Sequence, residues 1–281
     1  FFDTITHQKN VSKHNKDLII KCADLIINNN LPFFSFHNIK MNEPPNWFIN
    51  PFSGIQLTNF KDNWTDINDF NNRSGDIKNI WEPSRFNWIV TLSMAYAVSK
   101  DKKYIIKTNE WLSSWVKNNP KNIGPNWKCA QEVSIRLLNI IIANSILNKN
   151  LSHQLIELIK EHLDRISLTS FYAKAQQNNH IISESIALYL GGFILYKNTK
   201  QKKYLNYHKK GLKLIEENID SLVMDDGTFS QYSIIYHRML LDLLSILELF
   251  RAVWELPRFS KVFYKKVSVA YNWYCEMIDD I

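Results

Sequence analysis

Residues 231–255 read QYSIIYHRMLLDLLSILELFRAVWE and carry the strongest fold signal in this 281-residue chain. Apolar side chains recur there at helical spacing, at Leu240, Leu241, Leu244, Leu247 and Phe250. They cover nearly the whole circumference of the helix, which is typical of a helix enclosed by others. The stretch therefore predicts an inner helix in an all-helical protein whose helices form two layers.

Helical periodicity extends from this stretch over most of the chain, whereas strand patterns are almost absent. Glycine, which weakens helices, occurs seven times. Pro83 is placed in the first turn of one predicted helix, and Ser230 is placed as the cap of another. The predicted helices cover residues 13–29, 84–99, 102–117, 129–148, 152–174, 180–197, 202–220, 231–255 and 259–278.

Short and long connections alternate between these helices, which indicates stacked antiparallel hairpins. Lys102-Lys103-Tyr104 and Lys202-Lys203-Tyr204 each open a helix after a short polar turn, as a weak internal repeat would. Helical hairpins that repeat bury one another's apolar faces and curve into a solenoid or closed ring. We therefore predict an all-α fold with one domain over residues 1–281.

Residues 31–80 differ from the rest of the chain. Four of the chain's eight prolines lie there, and Asn46-Trp47-Phe48 and Phe52-Ser53-Gly54 interrupt any helical pattern. Long irregular segments inside compact domains are usually functional. We expect this one to cover one mouth of a central groove.

Composition and charge narrow the class of protein. No apolar run of about 18 residues occurs, so no membrane span is expected. The formal charge of +7 and the pI near 9.1 favour an anionic partner. The lysines are scattered along helix faces without an RNP, zinc-finger or helix-turn-helix signature, so nucleic acid is not the predicted partner.

Cysteine and histidine spacing gives no sign of a metal or cofactor site. Cys22, Cys129 and Cys275 lie far apart, which excludes a disulfide framework or a thiolate zinc site read from spacing. We expect them to be buried free thiols. His180 and Glu184 stand at i,i+4, but no HExxH motif and no third ligand accompany them. No metal or cofactor is predicted.

Two short tracts, Asn178-Asn179-His180 and Tyr236-His237, carry the chemistry-bearing side chains. An amide, an imidazole and a phenol on neighbouring helices are suited to removing a proton beside a carboxylate. Simpler interpretations remain open, since either asparagine could cap the helix and Tyr236 could belong to the core. His237 points about 100° away from Tyr236 and is expected to support the site rather than react.

Several motifs resemble, in residue type and order, the helical domain of heparinase II/III-like polysaccharide lyases, which include alginate lyases. The resemblance spans roughly residues 45–255. The motifs are Asp76-Ile77-Lys78, Trp81-Glu82-Pro83-Ser84-Arg85, the loop from Asn119-Pro120 to Gly124-Pro125-Asn126-Trp127, Glu132 with Arg136, Asn178-Asn179-His180, and Asp226-Gly227-Thr228-Phe229 through Tyr236-His237.

This resemblance implies an incomplete (α/α) toroid, normally followed by an antiparallel β-sandwich that contributes another catalytic histidine. We expect that sandwich to lie outside this chain and to complete the site. The resemblance implies that Asn179 and His180 neutralise the C6 carboxylate of a uronic acid. It implies that Tyr236 is the base and acid of a β-elimination that cleaves an acidic polysaccharide.

Further positions are predicted to bind the substrate, each with a structural alternative. Glu132 and Arg136 could form a plain i,i+4 ion pair, or Arg136 could face the groove with other cations. Trp127 could stack on a sugar ring, although tryptophans in such folds are more often core. The predicted substrate-binding set is Asn178, His237, Arg85, Glu82, Lys78, Arg136 and Trp127.

Two functional hypotheses follow from these residues. The first is a lyase acting on a uronic-acid polysaccharide. The second is a non-catalytic toroid that binds an acidic glycan in surface-polysaccharide biosynthesis or processing. A hydrolase is weaker, because no carboxylate pair stands out for glycoside hydrolysis. We expect a periplasmic or secreted location and leave a cytoplasmic one open.

Overall fold

The computed structural model describes residues 1–2, 11–147 and 150–278. Their helices are α1 Lys13–Ile27, α2 Lys78–Ser84, α3 Asn87–Ser99, α4 Lys102–Asn118, α5 Ala130–Leu147, α6 His153–Gln176, α7 Asn179–Thr199, α8 Lys202–Leu222, α9 Ile234–Val253 and α10 Lys261–Glu276. Their strands are β1 Asn30–Phe33, β2 His37–Lys40, β3 Ile49–Asn50, β4 Ile55–Gln56, β5 Phe70–Asn71 and β6 Gly75–Asp76.

The predicted helix over 84–99 is wrong in one respect, because two helices occupy this region. Phe86 adopts a left-handed backbone with φ of 67° and separates α2 from α3. Pro83 lies inside α2, one residue before its end, rather than in a first turn. Proline lacks an N–H and cannot continue the hydrogen-bond ladder, which is consistent with the end of α2 directly after Pro83. The predicted end at residue 148 lies outside the described residues.

The chain forms two compact units, Phe1–Glu161 and His162–Ile281, with the division inside α6. In the first unit, α3 packs against α1, α4 and α5. Buried aromatic rings join these helices, as between Trp88 and Trp111, whose centroids lie 5.4 Å apart. Such rings supply large apolar contact areas, which stabilise the packing of the helices around α3.

The prediction that residues 31–80 are irregular is wrong in part. Three antiparallel hairpins form there, β1 with β2, β3 with β4, and β5 with β6. Two of the three pair only two residues on each strand, too few to show the alternation that identifies strands in a sequence. Leu57, Ile67 and Ile77 from this segment pack with Ile80 and Trp81 in a buried cluster.

In the second unit, α7 is buried on most of its surface and packs most closely against α8. Two glycines allow this approach. A Cβ atom on Gly192 would stand 2.5 Å from the backbone nitrogen of His208, and one on Gly211 would stand 2.4 Å from that of Tyr189. Both distances are too short for real atoms, so a larger residue at either position would push the helices apart.

Helix α9 buries Leu240, Leu244, Leu247 and Phe250, as the apolar pattern predicts. Leu249, however, is exposed, so within the described residues α9 is enclosed on one side rather than all round. Residues i and i+4 face the same way on a helix, whereas Leu249 lies well away from that face.

The two Lys-Lys-Tyr tracts form similar helix starts, each after a lysine with a left-handed backbone. Lys103 pairs with Asp24 at 3.0 Å and lies over the ring of Tyr104. Lys203 pairs with Asp164 at 2.6 Å and lies over the ring of Tyr204. The echo in the sequence therefore corresponds to a repeated local arrangement.

Helix α5, Ala130–Leu147, has the length and mean hydropathy of a membrane span, but 72% of it is buried inside the protein. Such burial is typical of a central helix in a globular core.

The expectation of buried cysteines is wrong for Cys22 and Cys275, which are free and exposed.

Candidate functional site

The two asparagines at the start of α7 have different structural roles. Asn178 is the N-cap, and its side-chain oxygen accepts the backbone N–H of His180 at 2.9 Å. Asn179 is the first helical residue, so its side-chain amide does not cap the helix. The two alternatives for this tract are therefore compatible, since one asparagine caps and the other is left for different contacts.

Asn179 joins the start of α7 to the start of α9. Its backbone N–H donates to Oε1 of Gln231 at 2.9 Å, and its Nδ2 lies 3.6 Å from the sulfur of Met239. The side chain is only 3% exposed. A thioether sulfur is a weak acceptor, so the amide donor facing Met239 is only lightly engaged.

Tyr236 lies in the first turn of α9, before Met239. It precedes Met239 by three residues and so lies on the same face of α9, one turn nearer the N-terminus. At Met239, this face of α9 meets the start of α7 through Asn179. Its side chain is 42% exposed, and no described residue forms a hydrogen bond with its hydroxyl. His180 is half-buried in the same first turn of α7.

His237 is held inside the second unit. Its Nε2 lies 2.8 Å from the carbonyl of Ala270, and its ring stacks on Trp273 at 4.6 Å. A carbonyl only accepts, so Nε2 must carry the proton. Burial lowers the pKa of His237, and the ring is therefore kept neutral. This geometry suits a supporting residue.

The segment before α9 is tied to the turn before α7. Ser230 donates through its hydroxyl to the carbonyl of Gln177 at 3.2 Å, next to the bond between Gln231 and Asn179. The prediction that Ser230 caps α9 is therefore wrong, since the N-cap is Ser233. Gln231 and Met239 were not predicted as site residues, and no motif distinguishes either of them.

Glu184 on α7 is a further residue that was not predicted to belong to the site. It is buried, and its Oε2 has no hydrogen-bond partner among the described residues. Burial raises the pKa of Glu184 to about 8, although the charges of Arg165 and Lys210 oppose the shift. Such a carboxyl is poised to hold a proton in the folded state near neutral pH.

In the first unit, Arg85 lies between two carboxylates. Its Nε and Nη2 donate to Glu132 at 2.7 and 2.8 Å, and its Nη1 pairs with Glu82. Glu82 also accepts the backbone N–H of Phe34 at 3.1 Å. Burial raises the pKa of Glu82 despite the charge of Arg85. Burial alone would lower the pKa of Arg85, but Glu132 and Glu82 raise it well above its usual value.

Glu132, for which an i,i+4 pair with Arg136 was one alternative, pairs with Arg85. Arg136 is 1% exposed and donates to the carbonyls of Ser84 at 3.0 Å and Asn126 at 2.7 Å. Its guanidinium also lies 4.6 Å from the ring centre of Trp115. Main-chain carbonyls and indole faces can hold a buried guanidinium, which residue spacing does not reveal.

Trp127 is also internal. It is fully buried, and its indole N–H donates to the carbonyl of Asn119 at 3.1 Å. Neither Trp127 nor Arg136 therefore reaches a surface where a polysaccharide could contact it, which corrects their predicted role. Lys78, by contrast, is 64% exposed at its side chain and stands 3.7 Å from Asp76.

The predicted site residues are divided between the two units. Asn178, Asn179, His180, Tyr236 and His237 lie in the second unit, and Lys78, Glu82, Arg85, Trp127 and Arg136 lie in the first. Within the described ranges, no three His, Cys, Asp or Glu side chains form a cluster that could hold a metal ion.

The family of this chain is identified by its similarity to a protein-family model. The family model of the heparinase II/III N-terminus matches residues 5–279. The chain belongs to the heparinase II/III family. The match covers nearly the whole chain and agrees with the order of motifs in the sequence.

A curated relative is similar over part of the chain. A heparin-sulfate lyase from Bacteroides thetaiotaomicron is 26% identical over 161 residues, which are 54% of this chain and 22% of the relative. The compared region therefore represents less than a quarter of that protein.

Solved structures of the family share the fold. A heparan sulfate lyase HepC from Pedobacter heparinus has a TM-score of 0.61 at 18% identity, covering 95% of this chain and 39% of that one. A heparinase III structure has a TM-score of 0.62 at 19% identity, covering 97% and 40%. These likenesses confirm the predicted fold class, the all-α incomplete (α/α) toroid of helical hairpins. The chain spans about two fifths of those structures.

Proposed function

We propose that the protein containing this chain is a polysaccharide lyase that cleaves a uronic-acid polysaccharide by β-elimination. Family membership supports this reaction class. The observation that carries the residue assignment is the junction of α7 and α9 at Asn179. There the Asn179 amide contacts Met239, and Tyr236, which is 42% exposed, lies one turn earlier on the same face of α9.

The reaction removes the proton on C5 of a uronic acid, next to the C6 carboxylate, and breaks the bond between C4 and its oxygen. The C5 proton is hardly acidic while the carboxylate keeps its full charge. Donors from Asn179 and His180 at the start of α7 would stabilise the charge that develops on the carboxylate oxygens. The N-terminus of a helix adds favourable partial positive charge there.

Tyr236 would transfer the proton in two steps on one face of the sugar. Its phenolate takes the C5 proton, the carbon–hydrogen electron pair forms the double bond between C4 and C5, and the C4–oxygen bond breaks. The phenol then gives its proton to the departing oxygen and becomes phenolate again.

Substrate binding would require Asn179 to exchange partners. Its Nδ2 faces the sulfur of Met239 in this structure. Hydrogen bonds to a carboxylate are roughly twice as strong as those between neutral groups, so a uronate oxygen would displace the sulfur contact. The other face of the site would be formed by the exposed part of Tyr236.

The proposal concerns the whole protein, because the relatives with known structures are considerably longer than the matched region. We also propose that a β-sandwich domain of the whole protein adds a histidine to the site. We propose a periplasmic or secreted location, where acidic polysaccharides are encountered.

A second candidate function is non-catalytic binding of an acidic glycan. The anionic partner that the basic composition favours needs no elimination chemistry. The net charge of +7 suits either role.

An absorbance assay on the full-length protein separates the two functions. Elimination leaves a conjugated double bond at the new non-reducing end, so ultraviolet absorbance rises as a uronate polymer is cleaved. We expect this rise with at least one polymer of a broad uronate panel. Binding of such polymers with no absorbance rise in any of them would favour the second function.

A further inference from the structure

A polar cavity in the first unit stands apart from the residues assigned to catalysis. It has a volume of about 280 Å³ and lies between the segment Pro44–Phe48 and the C-terminal end of α4. Its polar lining consists of side chains with neutral amide or hydroxyl groups, and aromatic rings form a further part of the wall. These residues are Asn46, Gln56, Ser114, Asn118, Phe48 and Phe60.

The hydrogen bonds within the lining leave one amide group of Gln56 unused. Nδ2 of Asn46 donates to Oε1 of Gln56 at 2.8 Å, and Oδ1 of Asn46 accepts the backbone N–H of Phe48 at 3.1 Å. Asn46 is therefore largely occupied. Nε2 of Gln56 forms no hydrogen bond with the described residues, so its two hydrogens are available to a ligand.

Two further groups complete a mixed donor and acceptor set. Oγ of Ser114 accepts the indole N–H of Trp47 at 3.1 Å and retains its own hydrogen to donate. Nδ2 of Asn118 donates to the carbonyl of Ser114 at 2.8 Å, and among the described residues its Oδ1 has no donor. The cavity thus offers donors from Gln56 and Ser114 and an acceptor from Asn118.

Among the residues that the structure describes, none of those lining the cavity is charged. Glu43, next to Pro44, pairs with Lys107 and accepts the indole N–H of Trp111. Lys61 lies over the ring of Phe60 at 5.6 Å. A carboxylate or sulfate forms stronger hydrogen bonds with a charged donor than with these neutral groups, so the cavity is better suited to an uncharged ligand.

We propose that this cavity binds one uncharged pyranose ring, through its hydroxyl or N-acetyl groups. Sugar hydroxyls both donate and accept, which matches the mixed set formed by Gln56, Ser114 and Asn118. The stacked rings of Phe48 and Phe60, 4.6 Å apart, supply an apolar wall for the C–H face of the ring. The volume of about 280 Å³ is just below the range of about 300–1,000 Å³ for small-molecule sites, which fits a single ring rather than a longer ligand. The inference does not depend on the elimination chemistry.

Nuclear magnetic resonance of the side-chain amide groups tests the proposal on the full chain. We expect the signals of Gln56 and Asn118 to move when methyl glucoside or N-acetylglucosamine is added. Methyl glucuronide should cause smaller shifts at the same concentration, because its carboxylate finds no cation in the cavity.

The variant Gln56→Glu isolates the role of the free amide. A glutamate oxygen can still accept from Asn46, so the local structure is kept, but the donor to the sugar is lost. We expect affinity for the uncharged sugars to fall about fivefold, the usual effect of one neutral hydrogen bond. Gln154→Glu, at an exposed position in the first turn of α6, adds the same charge outside the cavity and should leave affinity unchanged.

Three results would overturn the proposal. One is the absence of Gln56 and Asn118 shifts with every uncharged pyranoside up to its solubility limit. Another is tighter binding of the glucuronide than of the neutral glycosides. The third is a response of these signals to a proline-rich peptide but not to sugars, which would identify the cavity as a peptide site.

Discussion

The backbone N–H of Asn179 donates to the side-chain oxygen of Gln231 at 2.9 Å. This bond connects the first residue of α7 to the segment that leads into α9, and the bond from Ser230 to Gln177 reinforces it. The position of Tyr236 relative to Asn179 depends on these two ties. Gln231 is therefore a positioning residue for the proposed reaction.

Replacing Gln231 tests this positioning. Gln231→Leu removes the acceptor and should lower kcat about tenfold through misplacement of Tyr236, with little change in KM. Gln231→Glu keeps an oxygen at the same place and should retain most of the activity. Equal kcat values for the leucine variant and the unmodified protein in the absorbance assay would show that the bond does not position the site.

The cap at Asn178 predicts a stability effect without a chemical one. Asn178→Ala leaves the backbone N–H of His180 without its acceptor and should lower the free energy of unfolding by about 1 kcal/mol. Asn178→Ser restores a capping oxygen and should recover most of the loss. Denaturant unfolding measures both. An alanine variant as stable as the unmodified protein would contradict the capping role.

Local signals predict the helices and the head of α7 well. The run from Leu240 to Phe250 identifies α9, and the paired asparagines mark the start of α7. Each of these signals consists of residues that are close together in the sequence. The fold class follows from such local periodicity.

Long-range partners could not be predicted in the same way. Arg85 and Glu132 are 47 residues apart, and Asn179 and Gln231 are 52 apart. Spacing along one helix favoured Arg136 as the partner of Glu132, but only tertiary packing determines which face of α5 meets α2. The burial of Trp127 depends on the same packing.

Arg136 should act on stability rather than on substrate binding. Arg136→Met leaves the buried carbonyls of Ser84 and Asn126 without donors and should destabilise the protein by roughly 3 kcal/mol. Lys78→Met, at an exposed position, should change stability by less than about 0.5 kcal/mol. Thermal or denaturant unfolding distinguishes them, and equal stability of the two variants would argue against the buried position of Arg136.

Glu184 should make stability depend on pH. Burial raises its pKa to about 8, so the folded protein holds a proton that the unfolded chain releases near its ordinary, lower pKa. The stability that this proton contributes is fully present below the pKa of Glu184 in the unfolded chain, and it is lost as the pH rises to about 8. Between pH 5 and 8, the unfolding free energy should therefore fall by roughly 3 kcal/mol more than in Glu184→Gln, whose amide does not titrate. Parallel pH profiles for the two proteins would mean that Glu184 is not buried in this way.

The central claim, that Tyr236 transfers the proton, is tested most directly by Tyr236→Phe in the full-length protein. The matched control is Tyr232→Phe, which removes a hydroxyl from a side chain that is 81% exposed four residues earlier. We predict that Tyr236→Phe abolishes the absorbance rise on a cleaved uronate polymer while binding of that polymer is retained, and that Tyr232→Phe keeps the activity. An unchanged rate of absorbance increase in Tyr236→Phe would contradict the assignment.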